Sequence, residues 1–184
     1  MKRFARIFAL AGTLSLLASG IAVAQDSGGM QMGAPDEMKA ITGLAGDWNV
    51  EFKFRMDPSA EFETSAGKAT FTNMVDNCTQ AMTFEATMMG MPFKGYGLTS
   101  YNRDSKQWES VWVDNMAAHL SLTYGTMTDG KLVMTGKDSM GGMSFHVRQT
   151  TYNITADKFE WSMEYSMDGT EWMHTAQAVY TRAK

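Results

Sequence analysis

Cysteine is nearly absent. Cys78 stands alone in 184 residues, so no intramolecular disulfide can form and the fold must be held by burial. There are three prolines and three histidines. The histidines, His119, His146 and His174, are far apart in sequence, and neither His-x-x-x-His nor Cys-x-x-Cys occurs. That removes zinc sites of ordinary ligand spacing. No glycine-rich turn joins a strand to a helix, so there is no phosphate cradle of the usual kind. No nucleophile elbow surrounds any serine. Positive charge is also short, with 16 basic against 20 acidic residues. A net charge of −4 disfavours nucleic acid and anionic membrane surfaces as partners. After residue 17 no apolar run approaches the ~20 residues of a membrane-spanning helix.

The one long apolar run reads as an address. Lys2, Arg3 and Arg6 precede the apolar stretch Ile7 to Leu17, and Ala22-Val23-Ala24 offers a small-x-small cleavage site. Residues 1–24 are therefore expected to be a signal peptide, with export to the periplasm or outside the cell. No cysteine follows the cleavage site to take a lipid anchor. Cleavage leaves 160 residues, the size of one domain, and shifts the formal charge from −4 to −7. No membrane span is expected after cleavage. Residues 25–35, rich in Gly, Ser and Met, read as a flexible tail. Residues 36–184 then form the folded domain.

What remains is a rhythm of alternating apolar and polar residues. Trp48-Asn49-Val50-Glu51-Phe52-Lys53-Phe54 shows it near the start and Phe159-Glu160-Trp161-Ser162-Met163-Glu164-Tyr165 near the end. A period of two places alternate side chains on opposite faces of a sheet. Ten such runs are expected, at 47–56, 62–75, 79–89, 92–102, 107–114, 119–128, 131–138, 144–155, 158–167 and 171–182. Turn signals such as Asp129-Gly130 and Asp168-Gly169 separate them. No helical period lies between them, so a parallel sheet is excluded. The fold class is all-β: a ten-stranded antiparallel up-and-down barrel, with a short N-terminal helix at 36–44 capping one mouth. Parity places Trp48, Val50, Phe52, Phe54, Met82, Phe84, Met88, Tyr124, Met134, Phe159, Trp161, Met163 and Tyr165 inside, and Lys53, Arg55, Glu85, Lys131, Glu160, Ser162 and Glu164 outside. An outer-membrane barrel would turn its apolar face to lipid and carry aromatic girdles, and this chain shows no such bands.

Two resemblances follow from particular residues. Gly46-Asp47-Trp48 at the first strand and Arg182 late in the last resemble the calycins, the lipocalin-like barrels. In that group an arginine stacks on the tryptophan, an arrangement that joins the first strand to the last. Leu44-Ala45-Gly46-Asp47-Trp48, Met89-Gly90-Met91-Pro92-Phe93-Lys94-Gly95-Tyr96-Gly97, Ser100-Tyr101-Asn102 and Trp112-Val113-Asp114 resemble an uncharacterised bacterial family, domain of unknown function 1579, across most of 36–182. The family commonly reads Gly-Tyr-Asp at Ser100-Tyr101-Asn102. The resemblance implies a fold and no catalytic role.

A barrel of this size can enclose a cavity. The expected function is binding of a small hydrophobic or amphipathic ligand. Phe52, Phe54, Phe84, Phe93, Tyr101, Trp112, Tyr124, Trp161, Met163 and Tyr165 would form the wall, and Arg148 and His174 would orient a polar head. Two alternatives use the same chain differently. Thioethers select Cu(I), and Met30, Met32, Met88, Met89 and Met91 are the candidate copper ligands among 18 methionines. The parity that puts Arg182 over Trp48 also turns His174 inward, as a haem axial ligand would be in haem-binding calycins. A methionine is equally a flexible core filler, and an inward histidine equally a hydrogen-bonded wall residue. A third alternative is a ligand-free interaction module with a filled interior. Asp104, Asp114 and Asp138 lack partners at a spacing that suggests paired acid–base work. Strand glycines Gly95, Gly97 and Gly125 are expected to permit bulges or close approach.

Overall fold

Each alternating run forms a strand because one of its faces can be buried and the other wetted. The computed structural model describes residues 31–184, with the folded unit spanning Met32–Lys184. The proposed leader at 1–24, the first part of the 25–35 tail and Met30 lie outside the described residues. A 3₁₀ turn at Asp36–Met38 runs into a one-turn helix, α1 (Lys39–Thr42). The strands follow: β1 (Gly46–Phe54), β2 (Glu63–Met74), β3 (Thr79–Met88), β4 (Met91–Asn102), β5 (Gln107–Asp114), β6 (Ser121–Thr128), β7 (Lys131–Met140), β8 (Met143–Tyr152), β9 (Lys158–Ser166) and β10 (Met173–Arg182). Each pairs with its sequence neighbour, and β1 also pairs with β10, so the sheet closes into an up-and-down barrel. Closure leaves no free edge along the paired ladders.

Two hairpins show how local residues set the topology. Met89-Gly90 and Asp129-Gly130 both hold positive φ at both positions, the geometry of the tight turns whose twist matches paired strands. All connections after odd-numbered strands fall at the rim far from α1. Those after even-numbered strands fall beside it.

The helix end is sealed. Met38, Ile41 and Leu44 are buried against the lumen. Trp48 is almost fully enclosed, with its Nε1 donating to the Leu44 carbonyl at 2.8 Å. Its ring meets Phe159 edge-on at 4.9 Å, and Phe159 stacks on Tyr180 at 4.2 Å. The first-to-last register is Trp48↔Arg182. The Arg182 guanidinium lies 4.4 Å from the Trp48 ring centre. It also donates to the carbonyls of Ala156, Ala45 and Gly43 at 2.6, 3.0 and 2.9 Å. One side chain thus ties together the helix, both closing strands and the β8–β9 loop.

The outer face carries ion pairs at Lys53–Glu51, Lys94–Glu85, Arg148–Glu164 and Lys158–Glu160. No helix among the described residues is long and apolar enough to cross a membrane.

Candidate functional site: the barrel lumen

The lumen holds a cavity of about 280 Å³ that runs from Ile41 and Leu44 at the helix end to Met56 and Met116 at the far rim. Both methionines are exposed, so the cavity opens there. Its size is just below the about 300–1,000 Å³ of ligand pockets. A shallower groove of about 570 Å³ crosses the outer wall at Gly67, beside Glu51, Lys68 and Glu85. That groove is open to solvent, and Glu85 there is already paired with Lys94, so the enclosed lumen is the better candidate.

The cavity wall is two-sided. On β1–β3 and β9–β10 it is largely aromatic and thioether: Phe52, Phe54, Phe84, Trp161 and Met163, with Tyr165 near the rim. Phe93 on β4 meets Phe84 edge-on at 6.0 Å. On β4–β8 the wall carries Thr99, Ser110, Ser121, Thr123, Gln149 and Thr151 among its larger residues. The two indoles of β5 explain this. Trp112 points inward and lies flat over two glycines of β4. A Cβ on Gly95 would overlap Trp112 Cζ2 and Cη2 and lie 2.9 Å from Cε2, and one on Gly97 would lie 3.1 Å from Cε3. These glycines serve close approach. Trp108 fills the lumen in register with Gly125 of β6. Beside such large rings β6 has room only for small side chains, so Ser121, Thr123 and Gly125 face inward.

That parity corrects three expected positions. Tyr124 is 46% exposed and faces outward, on the same face as Leu122, with Tyr124 in register with Glu109 and Leu122 with Val111. Trp108 and Trp112 had already taken its place inside. Arg148 also faces outward. Its Nε donates to Glu164 at 2.6 Å and its guanidinium lies 4.1 Å from the Trp172 ring centre. A charge is satisfied there at less desolvation cost than in the lumen. This pairing holds the Glu164 carboxyl below its usual range. His174 is turned out by a bulge. The β9–β10 register shifts between His174 and Ala176, so Thr175 and Ala176 are both buried while His174 sits opposite the outward Glu164. Its ring lies 5.3 Å from Phe62, and its Nε2 is 3.0 Å from the Ala176 carbonyl. The lumen-facing haem ligand that parity suggested is therefore on the outside.

Tyr101 faces inward at the helix end, edge-on to Trp108 at 5.6 Å, outside the cavity. Of the candidate copper ligands among the described residues, Met32 lies apart from the other three. Met32 is 85% exposed beside Gly33, whose carbonyl accepts from Arg103 at the helix end. Met88, Met89 and Met91 lie at the β3–β4 turn on the far rim, with Met88 alone in the cavity wall. Among the described residues no group of three or more His, Cys, Asp or Glu is placed to hold a metal.

Sequence spacing missed the rim cluster. Asp114 ends β5 and Asp138 lies on β7, both at inward parity and both lining the cavity. Asp114 accepts from Trp112 Nε1 at 2.8 Å and from the Met116 and Ala117 amides at 2.9 and 2.7 Å. It thereby shapes the 115–120 loop. Asp138 Oδ1 lies 2.6 Å from His119 Nε2 on that loop. This bond to Asp138 raises the His119 pKa, aided by the Ala117 carbonyl. Burial pushes the Tyr165 phenol up to about 12, and the charges of Asp138 and Asp114 add to the shift. The available signal was the period of two, Trp112 to Asp114 and Met134 to Asp138.

The fold and site define a lipocalin-like barrel: antiparallel, closed, plugged at one end by a short helix and open into a lined cavity at the other. Its architecture resembles Rv2717c from M. tuberculosis, at a TM-score of 0.60 and 13% identity over 82% of this chain and 99% of that one. It also resembles the S-type phycobiliprotein lyase CPES from Guillardia theta, at a TM-score of 0.56 and 13% identity over 84% and 94%. At such identity the likeness is one of fold. No curated protein matches the chain. Residues 34–182 match the family described as "Protein of unknown function (DUF1579)", and the chain belongs to that family.

Proposed function

We propose that this protein is an exported carrier that binds a small, largely apolar ligand inside its barrel. The observation that carries the reading is the cavity of about 280 Å³ with a continuous aromatic and thioether wall and an open rim. A domain whose interior served stability alone would close-pack it. Burial of apolar ligand surface would supply about 25 cal/mol per Å² before ordering costs are subtracted. The hydroxyl and amide groups of the opposite wall would fix orientation. Among the described residues the imidazole–carboxylate pair His119 and Asp138 joins the 115–120 loop to β7.

The test is titration with an environment-sensitive apolar dye, followed by displacement with small hydrophobic compounds. The wild-type protein is expected to enhance the dye's emission with saturable, single-site behaviour. Met163→Trp, which fills the cavity wall, should lower the affinity at least about tenfold while keeping the far-UV spectrum. Absence of saturable binding by the folded protein would refute the carrier reading.

A further inference from the structure

We infer that the ligand carries a protonated amine on its apolar body, and that this head sits at the rim between Asp114 and Asp138 over the hydroxyl of Ser121. The inference rests on the carrier reading above and narrows its ligand class.

Three observations converge. First, the register gathers the groups. Ser121 of β6 pairs with Trp112 of β5, and Leu122 pairs with Lys137 of β7. The inward residues at this level are therefore Trp112, Ser121 and Asp138, and Asp114 is the next inward position of β5 beyond Trp112, towards the rim. Second, the polar groups of β6 are left open. Ser121 is 8% exposed and Thr123 3% exposed, and neither hydroxyl has a hydrogen-bond partner among the described residues. Every fully occluded side-chain N or O among those residues is satisfied, so these two hydroxyls face the cavity. Polar groups this deeply buried are ordinarily paired; here the partner has to come from whatever fills the lumen. Third, the local charge is negative. Asp138 Oδ1 is engaged by His119 and by the Ser139 amide at 2.7 Å, while Oδ2 receives no donor among the described residues.

The opposing charges are accounted for. His119, when protonated, balances one of the two carboxylates. Arg55 stands at the rim on the β1 side, stacked 4.5 Å from the Phe62 ring centre. It is committed to the carbonyls of His174, Pro58 and Ala60 at 2.9, 2.9 and 3.5 Å. An ammonium brings three donors and no acceptor, which matches Asp138 Oδ2 and the two β6 hydroxyls. A carboxylate head would face two like charges at the rim. A neutral alcohol can donate one hydrogen bond to Asp138 Oδ2 but brings no positive charge to set against the two carboxylates.

The experiment compares octylamine, octanol and octanoate at pH 7, read by the fluorescence of Trp112 and Trp161 in the lumen wall. The expected order is octylamine tightest and octanoate weakest, with the amine preference falling as salt rises. Asp138→Asn should weaken octylamine at least about tenfold and octanol by a clearly smaller factor, so that the amine-over-alcohol preference falls. Asp138→Glu, which keeps the charge, should retain the amine preference. An unchanged far-UV spectrum in each variant shows that the barrel is intact. Equal affinities for the three compounds, or octanoate tightest, would overturn the amine inference and leave the carrier reading standing. Binding of none of them, nor of the apolar dye, would overturn the carrier reading and this inference with it.

Discussion

Gly95→Ala is expected to destabilise the barrel through Trp112 alone. The added methyl would overlap the six-membered ring of the indole. Carbon atoms need about 3.5 Å, so the ring has to leave the β4 wall and move into the cavity. Overpacking of this kind costs about 1–3 kcal/mol. The displaced ring also loses its 2.8 Å Nε1 bond to Asp114. That loss adds about 1 kcal/mol, because Asp114 keeps two amide donors and is partly solvated. Replacing glycine at ordinary φ returns about 0.4–1 kcal/mol through the unfolded chain. The net loss is about 2–3 kcal/mol, or about 5–10 °C in Tm for a domain of this size. The assay is urea unfolding of wild type, Gly95→Ala, Trp112→Leu and the double variant. Trp112→Leu alone should lose stability from the vacated volume. In that background Gly95→Ala should be neutral or slightly stabilising, which gives a coupling of about 2 kcal/mol. Equal cost of Gly95→Ala in both backgrounds would refute the reasoning, since the clash would then lie elsewhere.

Two further outcomes follow from particular contacts. Arg182→Ala removes three bonds to backbone carbonyls and the contact with Trp48, and should cost about 3 kcal/mol in chemical denaturation. Arg182→Lys keeps a charge over the ring and loses the planar fork, so it should recover only part of that; a lysine variant as stable as wild type would count against the staple. The His119–Asp138 bond raises the His119 pKa, so its stabilisation is fully present below about pH 6.5. It is lost as pH rises through the elevated value. The groups facing His119 are Asp138 and Asp114, with the Tyr165 phenol beside them. Urea midpoints of wild type and His119→Gln should differ more at about pH 6 than at about pH 8; a difference that did not vary with pH would exclude this linkage.

Some features were legible locally because the cause is local. Alternation from Trp48 to Phe54 and from Phe159 to Tyr165 fixed both strands and their inner faces. Asp129-Gly130 forced a hairpin. Gly46-Asp47-Trp48 and Arg182, at opposite ends of the folded region, pointed to closure of the first strand on the last through their resemblance to the calycins. The same parity failed where both faces of a strand carry apolar side chains. In β6, Leu122 and Tyr124 on one face compete with Ser121 and Thr123 on the other, and nothing within the strand decides between them. The indoles of the neighbouring β5 decide it, by filling the lumen over glycines.

The sequence by itself determined strands, turns and a large aromatic share of the cavity wall, since a period of two and a turn preference act over a few residues. The tertiary structure alone decided which polar groups reach the lumen. A one-residue bulge reversed His174, a cross-strand partner drew Arg148 outward, and the register of three strands brought Asp114, Ser121 and Asp138 to one rim. Register and bulges depend on packing between residues distant in the chain, and no local pattern encodes them.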